Sequence, residues 1–148
     1  MPRLLPGELR WAAGWSAVAL ALASLPYLVA WRLTPAGYVY TWVLSSPWDV
    51  FSYYAKIEQA ARGAWLLTLP YTSESHAPAL LFPQYVLLGK LGALTGLPAP
   101  LLYHLARVGC GAVLLLAAYR FLTAVTTELA VRRLAFLLLA FGGGLGRS

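Results

Sequence analysis

WAAGWSAVALALASLPYLVAW, running from Trp11 to Trp31, decides the fold class of this chain. Its roughly 21 residues hold no charged side chain. A helix of that length, at about 1.5 Å per residue, matches the ~30 Å hydrocarbon core of a bilayer. Trp11 and Trp15 at one end, with Tyr27 and Trp31 at the other, fit the aromatic belts of the two interfaces. A basic start before an apolar run also describes a cleaved signal peptide. This run is longer than such a peptide needs and ends Leu-Val-Ala-Trp-Arg, without a small-x-small site, so it reads as a retained anchor. Arg3 and Arg10 ahead of it put the N-terminus in the cytoplasm and everything from Arg32 onward outside.

The rest of the chain agrees with a bilayer setting. It is 60% hydrophobic and 11% charged, whereas a soluble domain carries roughly 25% charged residues. The net charge of +6 does not indicate nucleic acid, because the Lys and Arg residues are scattered singly or in one pair and form no phosphate-tracking run. The single cysteine, Cys110, lies between two glycines and reads as a small buried packing residue. The predicted class is an all-α, multi-pass protein of the cell membrane with three to four transmembrane helices.

Outward from the first span, residues 32–78 form an aromatic outer loop suited to lying on the membrane surface. Within it, Ser46-Pro47-Trp48-Asp49 starts a helix over 47–62, with Ser46 as N-cap, Pro47 at the first position and Gly63 as the stop. Asp49, Ser52, Lys56 and Gln59 share one face of this helix, and Val50, Tyr53, Tyr54, Ile57 and Ala61 another, which predicts a surface-lying amphipathic helix. Residues 79–95 are apolar but broken by Pro83, Gln84, Gly89 and Lys90, and read either as a short second crossing or as a segment that enters and returns. Residues 101–125 are a clearer crossing with Arg107 near the start and Arg120 near the end, Thr126-Thr127-Glu128 with Arg132-Arg133 form a short polar connection, and 134–148 begin a further segment that reads as cut short. Three crossings would put Arg132 and Arg133 outside, against the positive-inside tendency; three are nevertheless expected, since that rule is statistical.

The order of motifs resembles the N-terminal part of GT-C class membrane glycosyltransferases, similar to protein O-mannosyltransferases and lipid A aminoarabinose transferases. The resemblance rests on Asp49-x-x-x-Tyr53, Gly63-x-Trp65, His76-Ala77-Pro78-Ala79-Leu80, Gly96, Arg107 and Arg132-Arg133-Leu134-Ala135. It implies inverting transfer of a sugar from a polyprenyl-phosphate donor on the outer face, with Asp49 at the catalytic centre. Two positions depart from the pattern: Val50 stands where a second acidic residue is common, and Ala77 where a proline is common. Such enzymes run to several hundred residues, so the resemblance implies further C-terminal membrane helices, and the fragment alone is expected to be inactive.

The chemistry of the residues is compatible with this. Sugar transfer from a phosphate needs a base for the acceptor's proton and positive charge or a metal for the departing phosphate. Asp49 is the candidate base; Tyr53, Lys56, His76 and Arg107 are the candidate substrate-binding residues. Asp49 at the third position of a helix has an equally good structural role, satisfying free N–H groups and the helix dipole, and Arg107 has one in snorkelling. Glu74 and His76 form with Asp49 a weak candidate set for a divalent metal. The glycines from Gly142 to Gly146 are not a phosphate loop, since no Lys-Ser or Lys-Thr follows. The alternative function is a small non-catalytic membrane protein that packs on a partner membrane protein through Gly109, Cys110, Gly111 and Ala112.

Overall fold

The computed structural model describes residues 7–142, all-helical but for one isolated bridge. The chain forms α1 (Glu8–Arg32), α2 (Pro47–Ala61), α3 (Pro83–Thr95), α4 (Ala99–Val125) and α5 (Leu129–Phe141). Arg3 and the glycine-rich end from Gly143 lie outside the described residues. Two helices, α1 with 25 residues and α4 with 27, are long and apolar enough to cross a membrane. The expected third crossing is weakened by length: α3 has 13 residues, which span only about 20 Å of helix. Residues 79–82, expected to belong to that segment, are not helical. Ala79 pairs with Leu67 in the bridge, the two exchanging N–H···O bonds of 2.8 and 3.1 Å.

The residues group into two compact units, one of Met1–Val29 with Val108–Ser148, the other of Ala30–Arg107. In the first, α1 and α4 run antiparallel. Gly111 faces Leu20, and Tyr119 donates to the Glu8 carboxylate over 3.3 Å. Ala12, Tyr119 and Phe136 form the core there, with Trp11 against the Tyr119 and Phe136 rings. Glu8 and Arg132 form an ion pair whose side chains are 3% and 4% exposed. The second Arg132 terminal nitrogen donates to the Thr126 carbonyl over 2.9 Å, and Arg133 lies over the Trp11 ring. The stretch before Leu134, expected as a polar connection, is therefore helical from Leu129 and buries Arg132, because Glu8 neutralises its charge. Cys110, expected to be buried, is exposed on α4, since Leu20 of α1 covers the neighbouring Gly111 rather than this face.

In the second unit α2 packs against α3. Tyr54, Ile57, Ala99 and Leu102 form one apolar cluster and Ala60, Leu67 and Val86 another. Gly89 makes the helix contact, its backbone lying directly against Ile57, Ala60 and Ala61. α2 starts at Pro47 as expected and gives way at Arg62 to Gly63, whose φ of +110° favours glycine. Its cap differs from the expectation: Ser46 adopts a left-handed backbone, φ 47°, and its hydroxyl makes no capping bond. The polar face is also less exposed than predicted. Lys56 is 5% exposed, and the Gln59 amide binds the Thr68 backbone through both of its ends.

Candidate functional site

Helical spacing places Asp49, Tyr53 and Lys56 along one stripe of α2, at intervals of four and three residues, so Tyr53, expected on the apolar face, borders the face of Asp49 and Lys56. Asp49 is exposed in the first turn, where the N-terminal dipole favours its charge. One turn on, Tyr53 stacks against Tyr85 of α3 at 4.8 Å and lies 6.1 Å from Tyr103 of α4, both nearly parallel to it. Lys56 sits at the inner end, its ammonium donating to the Ser52 hydroxyl over 2.7 Å and the Ser52 carbonyl over 3.3 Å. The rings of Phe82 and Tyr53 flank it at 5.0 and 5.5 Å from their centroids. Phe82 holds this position with a left-handed backbone, φ 52°, which bulky residues rarely adopt.

The electrostatics follow from burial. Removal from water holds the Lys56 ammonium below the ordinary lysine value. Burial first, then the neighbouring Tyr53 and Tyr103 phenols, push the Tyr85 hydroxyl up to about 12. The two shifts act in opposite senses. Between the lowered Lys56 value and 10.5 the unfolded chain binds more protons than the folded one, so stability rises with pH; above about 10 the folded chain retains the Tyr85 proton that the unfolded chain loses, so stability falls. Thermal melts from pH 8 to 11 should therefore pass through a maximum near pH 10. Lys56→Met should remove the rising limb and leave the fall.

Of the other sequence candidates, Arg107 joins this region and His76 does not. Arg107 Nε donates to His104 Nδ1 over 3.3 Å, and His104 Nε2 donates to the Trp42 carbonyl over 2.9 Å. Tyr103 packs edge-on to His104, 5.4 Å away, linking this relay to Tyr53. His76 instead ties its own loop: its Nε2 accepts from the Leu69 N–H at 2.9 Å and its Nδ1 donates to the Glu74 carbonyl at 3.0 Å. With both ring nitrogens used this way, it acts as a loop clamp. Among the described residues no three His, Cys, Asp or Glu side chains lie close enough to hold a metal ion, so Asp49, Glu74 and His76 do not form a ligand set.

Several contributors escaped the sequence reading. Tyr85 and Tyr103 come from other helices and Phe82 from the residue just before α3, and none carries a local signal. The His104-x-x-Arg107 spacing, one helical turn, was the available clue to the relay. Comparison with protein-family models, curated proteins and solved structures finds no match to this chain.

Proposed function

We propose that the chain is the N-terminal module of a membrane glycosyltransferase that uses a polyprenyl-phosphate sugar, with Asp49 as the catalytic base. The observation that carries this reading is the α2 stripe. An exposed carboxylate, a tyrosine platform and a desolvated ammonium follow one another over seven residues, or about 10 Å of helix. Asp49 takes the acceptor's proton, the Tyr53 face stacks on the sugar ring, and Lys56 meets the phosphate once Phe82 swings aside. Attack at the anomeric carbon breaks its bond to the phosphate oxygen, which leaves as polyprenyl phosphate with its negative charge next to the lysine.

In membranes containing the complete enzyme of which this chain would be the N-terminal module, Asp49→Asn should cut sugar transfer from a polyprenyl-phosphate hexose by about a hundredfold or more. Loss of its dipole contribution should change stability by less than about 1 kcal/mol. Unchanged transfer would sink the role of Asp49. The alternative is a non-catalytic packing subunit, favoured by an apolar groove of about 410 Å³ between α1 and α4, lined by Ala13, Ala17, Ala21 and Ala112 among others. Absence of transfer by either protein, together with stable co-purification of one membrane protein, would move the assignment there.

The antiparallel packing of α1 on α4 supports a two-crossing insertion. If both helices span, Glu8, Tyr119 and Arg132 share one side, which returns Arg132 and Arg133 to the side of the N-terminus and reconciles them with the positive-inside tendency. Residues 33–98 then stay on the outer side without α3 crossing. In a Cys110→Ser background, cysteines at Ser73 and Glu128 should react with an impermeant maleimide from opposite faces of the membrane. Labelling of both from one face rules this topology out.

A further inference from the structure

Where α1 ends, the chain builds a cavity that the proposed transfer chemistry does not use. Its volume is about 430 Å³, and Trp31, Arg32, Tyr38, Tyr40 and Trp42 are among the residues that line it. Such a volume is typical of small-molecule sites. Trp42 is its keystone. The Trp42 backbone is left-handed, with φ 63°, a conformation that persists in a bulky residue only when its surroundings enforce it. His104 Nε2 and the Tyr54 hydroxyl enforce it, both donating to the Trp42 carbonyl, at 2.9 and 3.5 Å. The ring is fixed as well, stacked on Trp31 at 6.2 Å and 19° and set against Tyr40 at 5.4 Å.

These rings do not close a core. Trp31 is 53% exposed and Tyr38 76%, so strained backbone holds aromatic faces open to a cavity. Among the described residues Arg32 is its only charged lining residue, and no Asp or Glu side chain lines it. The Thr34 hydroxyl is occupied, donating to the Ala30 carbonyl over 2.9 Å. A single guanidinium between aromatic faces selects an anion, and its planar fork suits two phosphate oxygens. The position selects the source. The cavity adjoins the last turn of an apolar 25-residue helix, which is the depth at which Trp and Tyr meet lipid headgroups.

We propose that this cavity binds the phosphodiester of an anionic phospholipid, with Arg32 on the phosphate and the Trp31 and Trp42 faces against a polyol headgroup. A quaternary ammonium would also suit aromatic faces, but Arg32 repels it. The site rests on the membrane reading and not on the role of Asp49. His104 is a positioning residue here, acting through the Trp42 carbonyl.

The test is lipid retention, read by native mass spectrometry after reconstitution in nanodiscs of equal phosphatidylglycerol and phosphatidylcholine. The wild-type protein should retain phosphatidylglycerol preferentially, and Arg32→Ala should lower that retention about tenfold. Arg10→Ala, outside the cavity, should leave it unchanged. His104→Ala should lower it without removing a charge from the cavity, and His104→Gln, which keeps an N–H for the Trp42 carbonyl, should restore it. Equal retention by wild type and Arg32→Ala, or a preference for phosphatidylcholine, overturns the site. Displacement of the lipid by millimolar inorganic phosphate would make it a free-anion site and overturn the lipid assignment. Failure to enter nanodiscs would sink the membrane reading and this site together, whereas activity of Asp49→Asn bears on neither.

Discussion

Arg132→Leu is expected to destabilise the protein by about 3 to 5 kcal/mol, the cost of leaving one member of a buried ion pair uncompensated. The partner left behind is Glu8, 3% exposed, with Tyr119 as its remaining donor at 3.3 Å. One phenol offsets little of a carboxylate's desolvation, and Arg132→Leu also frees the Thr126 carbonyl, which accepts from Arg132 at 2.9 Å. Glu8→Leu should do comparable damage from the other side. The double variant Glu8→Leu/Arg132→Leu removes both charges from a site already walled by Trp11, Tyr119 and Phe136, and should recover most of the loss. Thermal unfolding of the four proteins in one detergent measures the coupling. Additive losses would show that Glu8 and Arg132 do not stabilise one another.

Gly89→Leu should have an effect of similar size in the other unit, about 3 kcal/mol or more. Even a methyl group at position 89 meets the Ile57 carbonyl oxygen, lies 2.5 Å from Ala60 Cβ and 2.8 Å from the Ala61 nitrogen. Two of those three atoms are helix backbone, which has no rotamer to change, so α2 and α3 must separate. Separation opens the Ala60, Leu67 and Val86 cluster and pulls Tyr85 away from Tyr53. The expected readout is early proteolysis within 64–82, with α1 and α4 still protected. Gly96→Ala is the comparison: nothing lies within 4 Å of its added methyl, so its cost comes only from a φ of +72° and stays near 1 kcal/mol.

The elements with a strong one-dimensional signal were legible. The extents of the two apolar helices follow from long, predominantly hydrophobic runs, and the limits of α2 from Pro47 and Gly63. The α2 stripe was legible only in part: spacing put Asp49 and Lys56 on a shared face, but Tyr53 was grouped with the apolar residues of another face although it stands one turn from Asp49. What was missed depends on partners distant in sequence. Lys56 reads as a solvated charge until Phe82 covers it, His76 reads as a ligand until Leu69 and Glu74 take both of its nitrogens, and Arg132 reads as a loop residue until Glu8 reaches it across 124 positions. Nor does hydropathy separate an apolar segment that crosses a bilayer from one that packs on a neighbouring helix. α3 is such a segment, and Gly89 is what fits it to α2.

The distance between Glu8 and Arg132 along the chain also sets a clock. A ribosome adding about 5 to 20 residues per second completes the intervening 124 positions in roughly 6 to 25 seconds. Throughout that interval the first helix carries a carboxylate whose partner does not yet exist. Until Arg132 has been made, Glu8 lacks the guanidinium that neutralises it in the folded chain. The buried pair can therefore form only after nearly all of the described chain has been synthesised.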